Sequence, residues 1–237
     1  MNNFFYDFHL HSCLSPCGDD DMTPADLAGM CALAGLQIVA LTDHNTVGNC
    51  AAFCRAAEHY GLVGIPGMEL TTAEEIHVIC LFPDLAQAEA FGAYVRAHLP
   101  PVQNRPDFFG RQLLMDEHGE ITGEETALLM GSTDIPYCDV AALVRSYGGA
   151  AFPAHIDHDA FSALSNLGLW MPEAGFTFAE LSPTCPSGFT GRADLSGLRF
   201  LTNSDAHYFH EVPDGVNTIP LSEASPRAVI DYLNAPL

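Results

Sequence analysis

The stretch "DFHLHSCLSPCGDDDM", Asp7 to Met22, holds two histidines, two cysteines and four acidic residues in sixteen positions. All three residue types ligate metal ions in proteins. The overlapping segment "FFYDFHL" is typical of a buried strand, and side chains at i and i+2 of a strand point to the same face. The pattern therefore predicts that His9 and His11 project side by side at a strand end. A thiolate site built on the cysteines is the alternative.

Charge and composition limit the class of protein. The 237 residues include 30 acidic residues against eight basic ones, all arginine, for a formal net charge of −22. Hydrophobic residues make up 48%, which is typical of a globular chain with a substantial core. Because nucleic acids and anionic membranes bind clustered Lys and Arg, we expect neither extended nucleic acid nor a membrane as a partner. The N-terminus lacks a signal-peptide pattern, so the expected location is cytoplasmic.

Strand patterns and helix patterns alternate along most of the chain. The first helix is predicted to begin with Thr23 as its N-cap and Pro24 at its first position. The alternation predicts an α/β fold with a largely parallel sheet, and in closed α/β barrels functional groups lie at the carboxyl ends of the strands. Residues 101–136 interrupt the rhythm with several Pro and Gly residues. We interpret them as an insertion, or a lid, in a single domain spanning residues 1–237.

Ligand-type side chains recur at or near the ends of the predicted strands. Beyond the first pair they occur in the motifs "TDH", "GMEL", "EIHV", "PAH" and "SDAH". The residues are Asp43, His44, Glu69, His77, His155, Asp205 and His207. Because strand ends of a barrel surround one mouth, we expect these side chains to lie together there. Mixed imidazole and carboxylate ligands suit Mn, Fe or Zn better than Mg, which prefers oxygen.

The order of these motifs resembles the PHP family, the polymerase-and-histidinol-phosphatase domain, over essentially the whole chain. The resemblance implies a distorted (βα)7 TIM-like barrel with its active site at the C-terminal ends of the strands. It also implies a metal-dependent phosphoesterase in which two or three divalent cations activate water toward hydroxide. The chain looks like the small stand-alone members, which are similar to nucleotide and nucleoside-bisphosphate phosphatases and to histidinol phosphatase.

Carried over to this sequence, the resemblance implies three metal positions. Four side chains would hold the first metal: His9, His11, Glu69 and Asp205. Glu69 would bridge to a second metal, held by two further ligands, His77 and His155. A third metal would be held by His44 and His207.

The opening stretch departs from the family pattern at the third position. Many members resemble H-x-H-S-x-x-S-D-G, in which the Asp helps to hold the third metal, whereas this chain has Pro16 there. Asp19 is the first candidate for a substitute, because a short detour through "SPCG" would return its carboxylate to the site. Asp20 and Cys17 follow as candidates, and without any of them the enzyme would run on two metals.

Residues outside the motifs supply candidates for proton transfer and for phosphate binding. His158, shortly after "PAH", is a candidate proton donor to the leaving oxygen. Arg111, Arg192 and Arg105 lie in loop-like segments, and the guanidinium group matches phosphate geometry. Asp43 either orients His44 or caps the following helix.

The cysteines leave a different kind of metal site open. Cys13 and Cys17 have a C-x3-C spacing, as do Cys50 and Cys54, so four thiolates for zinc or an iron–sulfur cluster are conceivable. Cys50 and Cys54 lie one turn apart in an apolar helix pattern, however, which predicts packed side chains there.

Taken together, the patterns predict a metal-dependent phosphatase that hydrolyses small phosphorylated metabolites. One alternative is a 3′–5′ exonuclease, as PHP domains attached to polymerases can be, and the net charge of −22 argues against it. The other is a non-catalytic metal-binding scaffold, which loss of several ligand positions would favour. Eight such positions are present, so hydrolysis is the favoured function.

Overall fold

A computed structural model describes residues 1–236 of the chain, which form alternating strands and helices. The strands are β1 (Asn2–Leu10), β2 (Ile38–Leu41), β3 (Val63–Thr71), β4 (His77–Leu81), β5 (Leu113–Met115), β6 (Ile121–Glu124), β7 (Ala150–Pro153), β8 (Phe178–Leu181), β9 (Arg199–Thr202) and β10 (Thr218–Leu221). The helices are α1 (Pro24–Leu33), α2 (Cys50–His59), α3 (Leu85–His98), α4 (Pro106–Phe109), α5 (Tyr137–Ser146), α6 (Ala163–Leu167) and α7 (Pro226–Asn234).

The central sheet curls into a distorted barrel, as the sequence predicts. Six strands are hydrogen-bonded in the order β10-β1-β2-β3-β4-β7, and β8 pairs with β9. Two backbone hydrogen bonds join these sheets: Ile156 N donates to the Glu180 carbonyl at 2.9 Å, and His11 N donates to the Ala206 carbonyl at 3.0 Å. Strands β1, β2, β3, β4, β7, β8 and β9 therefore follow one another around the barrel, while β10 pairs with the first half of β1.

The prediction of a largely parallel sheet is wrong around β4. The pairs β1–β2, β2–β3 and β8–β9 are parallel, but β4 runs antiparallel to both β3 and β7. Residues 72–76 are too few for a crossover helix, so the chain turns back on itself in a hairpin. The reversal pairs His77, at the start of β4, with Thr71 at the end of β3. His77 thus reaches the same edge as the ends of the parallel strands.

The helices cover the barrel with apolar side chains, and their ends carry the predicted signals. The Thr23 hydroxyl accepts a hydrogen bond from Asp26 N at 3.1 Å, which confirms the cap of α1. Phe53 of α2 and Phe91 of α3 are both fully buried against strands. Burial of side chains of this size contributes about 1.5–3 kcal/mol each relative to exposure. Within residues 1–236, no helix combines the length and apolarity that a bilayer crossing requires.

Residues 101–136 form α4, the β5–β6 hairpin and connecting loops beside the segment that follows β1. Asn49 ties this hairpin to the barrel, because its side-chain amide donates to the Leu113 carbonyl and its oxygen accepts from Met115 N, both at 3.0 Å. Leu113 and Met115 pack on Cys13. The function of this segment as a lid stays a prediction.

Candidate metal centre

Ligand-type side chains from six chain segments converge at one end of the barrel. His9 lies near the end of β1 and Glu69 near the end of β3, while His77 begins the reversed strand β4. The remaining side chains come from the loops that follow β1, β2, β7 and β9. The full set is His9, His11, His44, Glu69, His77, His155, Asp205 and His207. Most of them line a cavity of about 470 Å³.

The side chains form three overlapping groups whose ligand atoms lie within 4.8 Å of one another. The groups are His9, His11, Glu69 and Asp205; His44, Glu69 and His77; and His11, His44 and His207. Glu69 belongs to both of the first two groups, and each of its oxygens faces both. In the first group, Oε1 lies 3.3 Å from His9 Nε2 and Oε2 lies 3.4 Å from His11 Nε2. In the second group, Oε1 lies 2.8 Å from His77 Nδ1, and Oε2 lies 3.0 Å from His44 Nδ1. A carboxylate placed in this way can be shared between two cations.

Three buried atoms of the cluster, His44 Nδ1, His155 Nδ1 and Asp205 Oδ1, make no hydrogen bond of good geometry among residues 1–236. Asp205 Oδ1 lies 3.0 Å from His9 Nε2 and 3.2 Å from His11 Nε2. The two imidazole nitrogens are themselves 3.1 Å apart. Leaving a buried polar atom unpaired costs about 1–3 kcal/mol. Nitrogen and oxygen lone pairs that converge in this way fit a transition-metal ion, which would satisfy them together.

Glu180, on β8, holds the ring of His9 in place. Its carboxylate accepts from His9 Nδ1 at 3.0 Å, from His155 N at 3.0 Å and from the Asn203 side-chain amide at 2.7 Å. Donation from Nδ1 leaves Nε2 of His9 free to face the cluster. Sequence reasoning missed Glu180, although an acidic residue inside the buried strand pattern "FAEL" was an available signal.

Asp43 orients the imidazole of His11 through the hydroxyl group of Ser15. The Ser15 hydroxyl donates to Asp43 Oδ1 at 2.7 Å and accepts from His11 Nδ1 at 2.9 Å. His44 N also donates to Ser15 Oγ, at 3.2 Å. Asp43 was predicted either to orient His44 or to cap a helix. Its carboxylate instead orients His11 through Ser15, and it reaches His44 only through the backbone.

The charged groups of the cluster shift one another's pKa values. Burial would raise the pKa of Glu69, but the imidazoles of His77, His9 and His44 hold it well below its usual range. Burial would lower the pKa of His9, but the carboxylates of Asp205 and Glu180 raise it well above its usual value. Because imidazoles bind metal in their neutral form, metal binding would release any protons that these histidines carry.

The structure does not bring Asp19 or Asp20 into any of the three groups that residues 1–236 form. Asp19 Oδ1 accepts from Asp21 N at 2.9 Å, and Asp20 is exposed. Asp19 contributes through its backbone instead, because its N donates to the His207 carbonyl at 3.1 Å. That hydrogen bond fixes the loop after β1 beside His207.

Cys17 is the residue of this loop that lines the cavity, together with His44 and His207. Burial would raise the pKa of its thiol, but the neighbouring imidazoles of His207 and His44 lower it to about 5. A thiolate at this place is a competent metal ligand. Cys17 was the third of the candidates that the sequence offered for this position.

The other cysteines do not form the alternative thiolate site. Within the described part of the chain, no metal-capable group contains a cysteine. Cys50 is 1% exposed, and its thiol donates to the Gly67 carbonyl at 3.3 Å. Cys13 is buried against β5. These side chains pack as small apolar residues.

The predicted phosphate-binding arginines lie elsewhere on the surface. Arg111 pairs with Glu124, and Arg192 pairs with Asp194 at 2.8 Å. Arg105 lies over the ring of Phe108. None of these arginines is among the residues that line the cavity within residues 1–236.

His158 lies at the cavity, where its ring stacks on that of His155 with centroids 4.7 Å apart. Phe161 and Met130 also line the cavity, and both are partly exposed. Sequence reasoning did not identify these two residues, because a single apolar residue in a loop carries no pattern.

A family model described as PHP domain matches residues 7–162, which is well over half of the chain. No match was found among curated protein sequences. The matched region begins just before His9 and ends just after Phe161. It therefore contains every ligand-type residue of the cluster except Asp205 and His207.

Several solved structures share the fold. The lesion-specific endonuclease PfuEndoQ from Pyrococcus furiosus has a TM-score of 0.71 at 16% identity; the match covers 98% of this chain and 56% of that chain. A candidate metal-dependent phosphoesterase from Bifidobacterium adolescentis has a TM-score of 0.62 at 19% identity, with coverages of 98% and 97%. An amidohydrolase from Chromobacterium violaceum, with bound SO4 and no metal, has a TM-score of 0.61 at 20% identity, with coverages of 97% and 95%. At these identities the likeness shows the fold alone.

Proposed function

The chain belongs to the PHP domain family, and from that premise we propose that this metal-dependent hydrolase is a phosphatase of small phosphorylated metabolites. The observation that carries the proposal is the position of Glu69, which is 1% exposed and lies within 3.4 Å of five imidazoles. Such a carboxylate can join two cations, and paired cations are suited to binding and polarising a phosphoryl group.

We keep the metal positions that the family resemblance implies. The first matches one of the three groups in full, whereas the group around Glu69 and His77 contains His44 rather than His155. The first cation would take His9, His11, Glu69 and Asp205, and the second would take Glu69 with His77 and His155. His44 and His207 would hold a third. Cys17 lines the cavity with them and is our proposed further ligand, although it lies outside the group that His11, His44 and His207 form. The donor set favours Mn, Fe or Zn over Mg, and thiolate from Cys17 strengthens that preference.

The bound cations would supply Lewis-acid activation of water and neutralise charge on the phosphoryl group. The chain's own residues prepare the site for that chemistry. Glu180 and Ser15 hold Nδ1 of His9 and His11, so that each Nε2 stays directed into the cluster. His158, at the cavity wall, is the proposed proton donor to the leaving oxygen.

The charge of the chain supports a small substrate. PfuEndoQ is an endonuclease, and the matched region is 56% of that protein. In this chain the formal net charge is −22, and five of the eight arginines pair with carboxylates. Without a continuous basic stripe, the phosphates of a long nucleic acid would gain little and would meet acidic surface.

The test is a phosphate-release screen on the purified full chain with Mn²⁺. Substrates are nucleotides, nucleoside bisphosphates, sugar phosphates and histidinol phosphate, with duplex DNA containing an abasic site as the competing substrate. We expect release of phosphate from small esters, loss of release on chelation and recovery on addition of Mn²⁺. Metal analysis should find more than one transition-metal ion per chain.

Arg227→Ala serves as a control protein in the same screen and should release phosphate at the rate of the wild type, because it removes an exposed side chain that pairs with Asp231 on the surface of α7. Cleavage of DNA without release of phosphate from any small ester would contradict the proposal in favour of a nuclease. Absence of all hydrolysis in fully metal-loaded protein would contradict it in favour of a scaffold.

A further inference from the structure

The mouth of the cavity has an apolar wall beside the metal-capable cluster. Phe161 is 46% exposed and Met130 is 38% exposed, and both line the cavity. The Phe161 ring stacks on the ring of His77, with centroids 4.7 Å apart and an interplanar angle of 18°. One face of this aromatic ring is therefore covered by a proposed metal ligand, while the side chain keeps a large exposed area. A group attached to a phosphoryl at the cluster would meet this wall.

The backbone holds Phe161 in an unusual conformation at this place. Its φ is +53°, a region that bulky residues rarely adopt. The Phe161 carbonyl accepts from His77 N at 2.9 Å, and the adjacent Ser162 hydroxyl donates to the His158 carbonyl at 2.7 Å. Ser162 is fully buried and caps α6. These contacts stabilise a strained position, which is a feature that recurs at ligand-binding sites.

The charge around the same wall is negative. Asp159 lines the cavity near Phe161, and Glu69 and Asp205 line its deeper part. Among residues 1–236 no arginine lines this cavity, and the chain contains no lysine. The arginines are engaged elsewhere: five pair with carboxylates, and Arg105, Arg145 and Arg199 contact an aromatic ring or backbone carbonyls. Apart from the imidazoles that line the cavity, positive charge would thus come from cations bound at the cluster, and the mouth beside Asp159 has no arginine or lysine among the described residues.

From the apolar wall and the carboxylate of Asp159 we infer that the site selects phosphomonoesters whose leaving group carries no negative charge and lays an apolar, preferably aromatic, face on Phe161. A leaving group with a second phosphate would be disfavoured, because that phosphate would lie beside Asp159 without an arginine or lysine to pair with. The inference rests on the proposed phosphatase function and adds to it the class of substrate. Phe161 is its specificity-determining residue.

The first experiment compares phenyl phosphate with 1,4-phenylene bisphosphate on the full chain loaded with Mn²⁺. The two esters share one ring and differ by the second phosphate. We expect kcat/KM to be at least about tenfold higher for phenyl phosphate, equivalent to about 1.4 kcal/mol. Asp159→Lys places a cation at the cavity and should narrow this ratio by raising kcat/KM for the bisphosphate. Asp107→Lys, at an exposed acid outside the cavity lining, makes the same charge change and should leave the ratio as it is.

The second experiment removes the aromatic face. Phe161→Ala should raise KM for phenyl phosphate by about tenfold while changing kcat less, and Phe161→Tyr should restore KM, because the ring contributes binding rather than chemistry. Phe108→Ala, which removes a 71% exposed ring outside the cavity lining, is the matched control. The metal content of each variant is measured to show whether His77 can still bind metal.

The possible results distinguish a wrong substrate class from a wrong phosphatase function. Turnover of both esters at equal kcat/KM, or an unchanged KM in Phe161→Ala, overturns the substrate class and leaves the phosphatase function standing. A preference for the bisphosphate overturns the class as well. Absence of turnover on both esters and on the broader set of phosphomonoesters overturns the proposed function and this inference with it.

Discussion

Two regions of the molecule each place an acidic side chain 2.8 Å from a basic one, but the two pairs differ in burial. His77 Nδ1 lies 2.8 Å from Glu69 Oε1 at the strand ends, and Arg192 lies 2.8 Å from Asp194 on the surface. Glu69 is 1% exposed, whereas the Arg192 and Asp194 side chains are 42% and 39% exposed. Water can satisfy the surface pair, which contributes about 0–1 kcal/mol. Burial with unpaired atoms, rather than proximity alone, marks the strand-end cluster as a site for ions.

The largest expected effect comes from the shared carboxylate. Glu69→Ala should lower kcat for the best phosphate ester by about a thousandfold or more, because both cations of a two-metal site lose a ligand. Mn²⁺ should raise the melting temperature of the wild type and not of the variant. Glu124→Ala, which removes an exposed acid paired with Arg111, is the matched control. Full activity in Glu69→Ala would refute the site assignment.

A smaller effect is expected from the residue that orients His9. Glu180→Gln keeps the shape of the side chain but weakens acceptance from His9 Nδ1, so metal affinity should fall by about tenfold to a hundredfold. The measurement is activity against Mn²⁺ concentration, where added metal should recover most of kcat. Glu125→Gln, on the surface beside Arg96, serves as the control. A loss of kcat that saturating metal does not recover would show that Glu180 acts in some other way than by orienting His9.

Cys17 offers a test of the third position. Cys17→Ser should lower the number of tightly bound ions while leaving the first two positions occupied, because serine is a much weaker ligand than thiolate. Cys17→Asp should restore the count, since a carboxylate is the ligand that the family pattern has in this loop. Cys138→Ser changes an exposed cysteine and is the control. Equal metal content and affinity in wild type and Cys17→Ser would remove Cys17 from the site.

The smallest effect is expected on the surface side of the comparison. The double variant Arg111→Ala and Arg192→Ala should keep kcat/KM within about twofold of the wild type, because both arginines lie in exposed ion pairs. Steady-state kinetics on a phosphate ester provide the measurement. A loss of more than about tenfold would restore these arginines as the phosphate clamp that their loop positions suggested.

Much of the fold and of the metal site was predicted from patterns among neighbouring residues. The alternation of strands and helices predicted an α/β fold, and the order of the motifs implied the barrel through the family resemblance. The two-residue period of a strand placed His9 and His11 on one face. The Thr–Pro signal located the start of α1. Each of these features depends on residues only a few positions apart, which is why the chain alone reveals them.

Features that depend on distant contacts were not predictable in the same way. The reversal of β4 depends on the short loop at residues 72–76 and on pairing with β7, and it decides how His77 reaches the cluster. The function of Glu180 depends on closure of the barrel, which brings the side chain of β8 within reach of His9 on β1. Phe161 acquires its position from a hydrogen bond to His77, 84 residues earlier in the chain.

The amino-acid sequence by itself determined the fold class and the residue types from which a metal site can be built. Only the tertiary structure decided which loop side chain faces His44 and His207, since Asp19 and Cys17 are two residues apart and both are ligand types. The loop is held in this position by the hydrogen bond from Asp19 N to the His207 carbonyl, which joins segments almost 190 residues apart. That bond uses the backbone of Asp19 and leaves Cys17 at the cavity. Sequence spacing describes what lies on one face of a strand, but the approach of separate segments is set by packing.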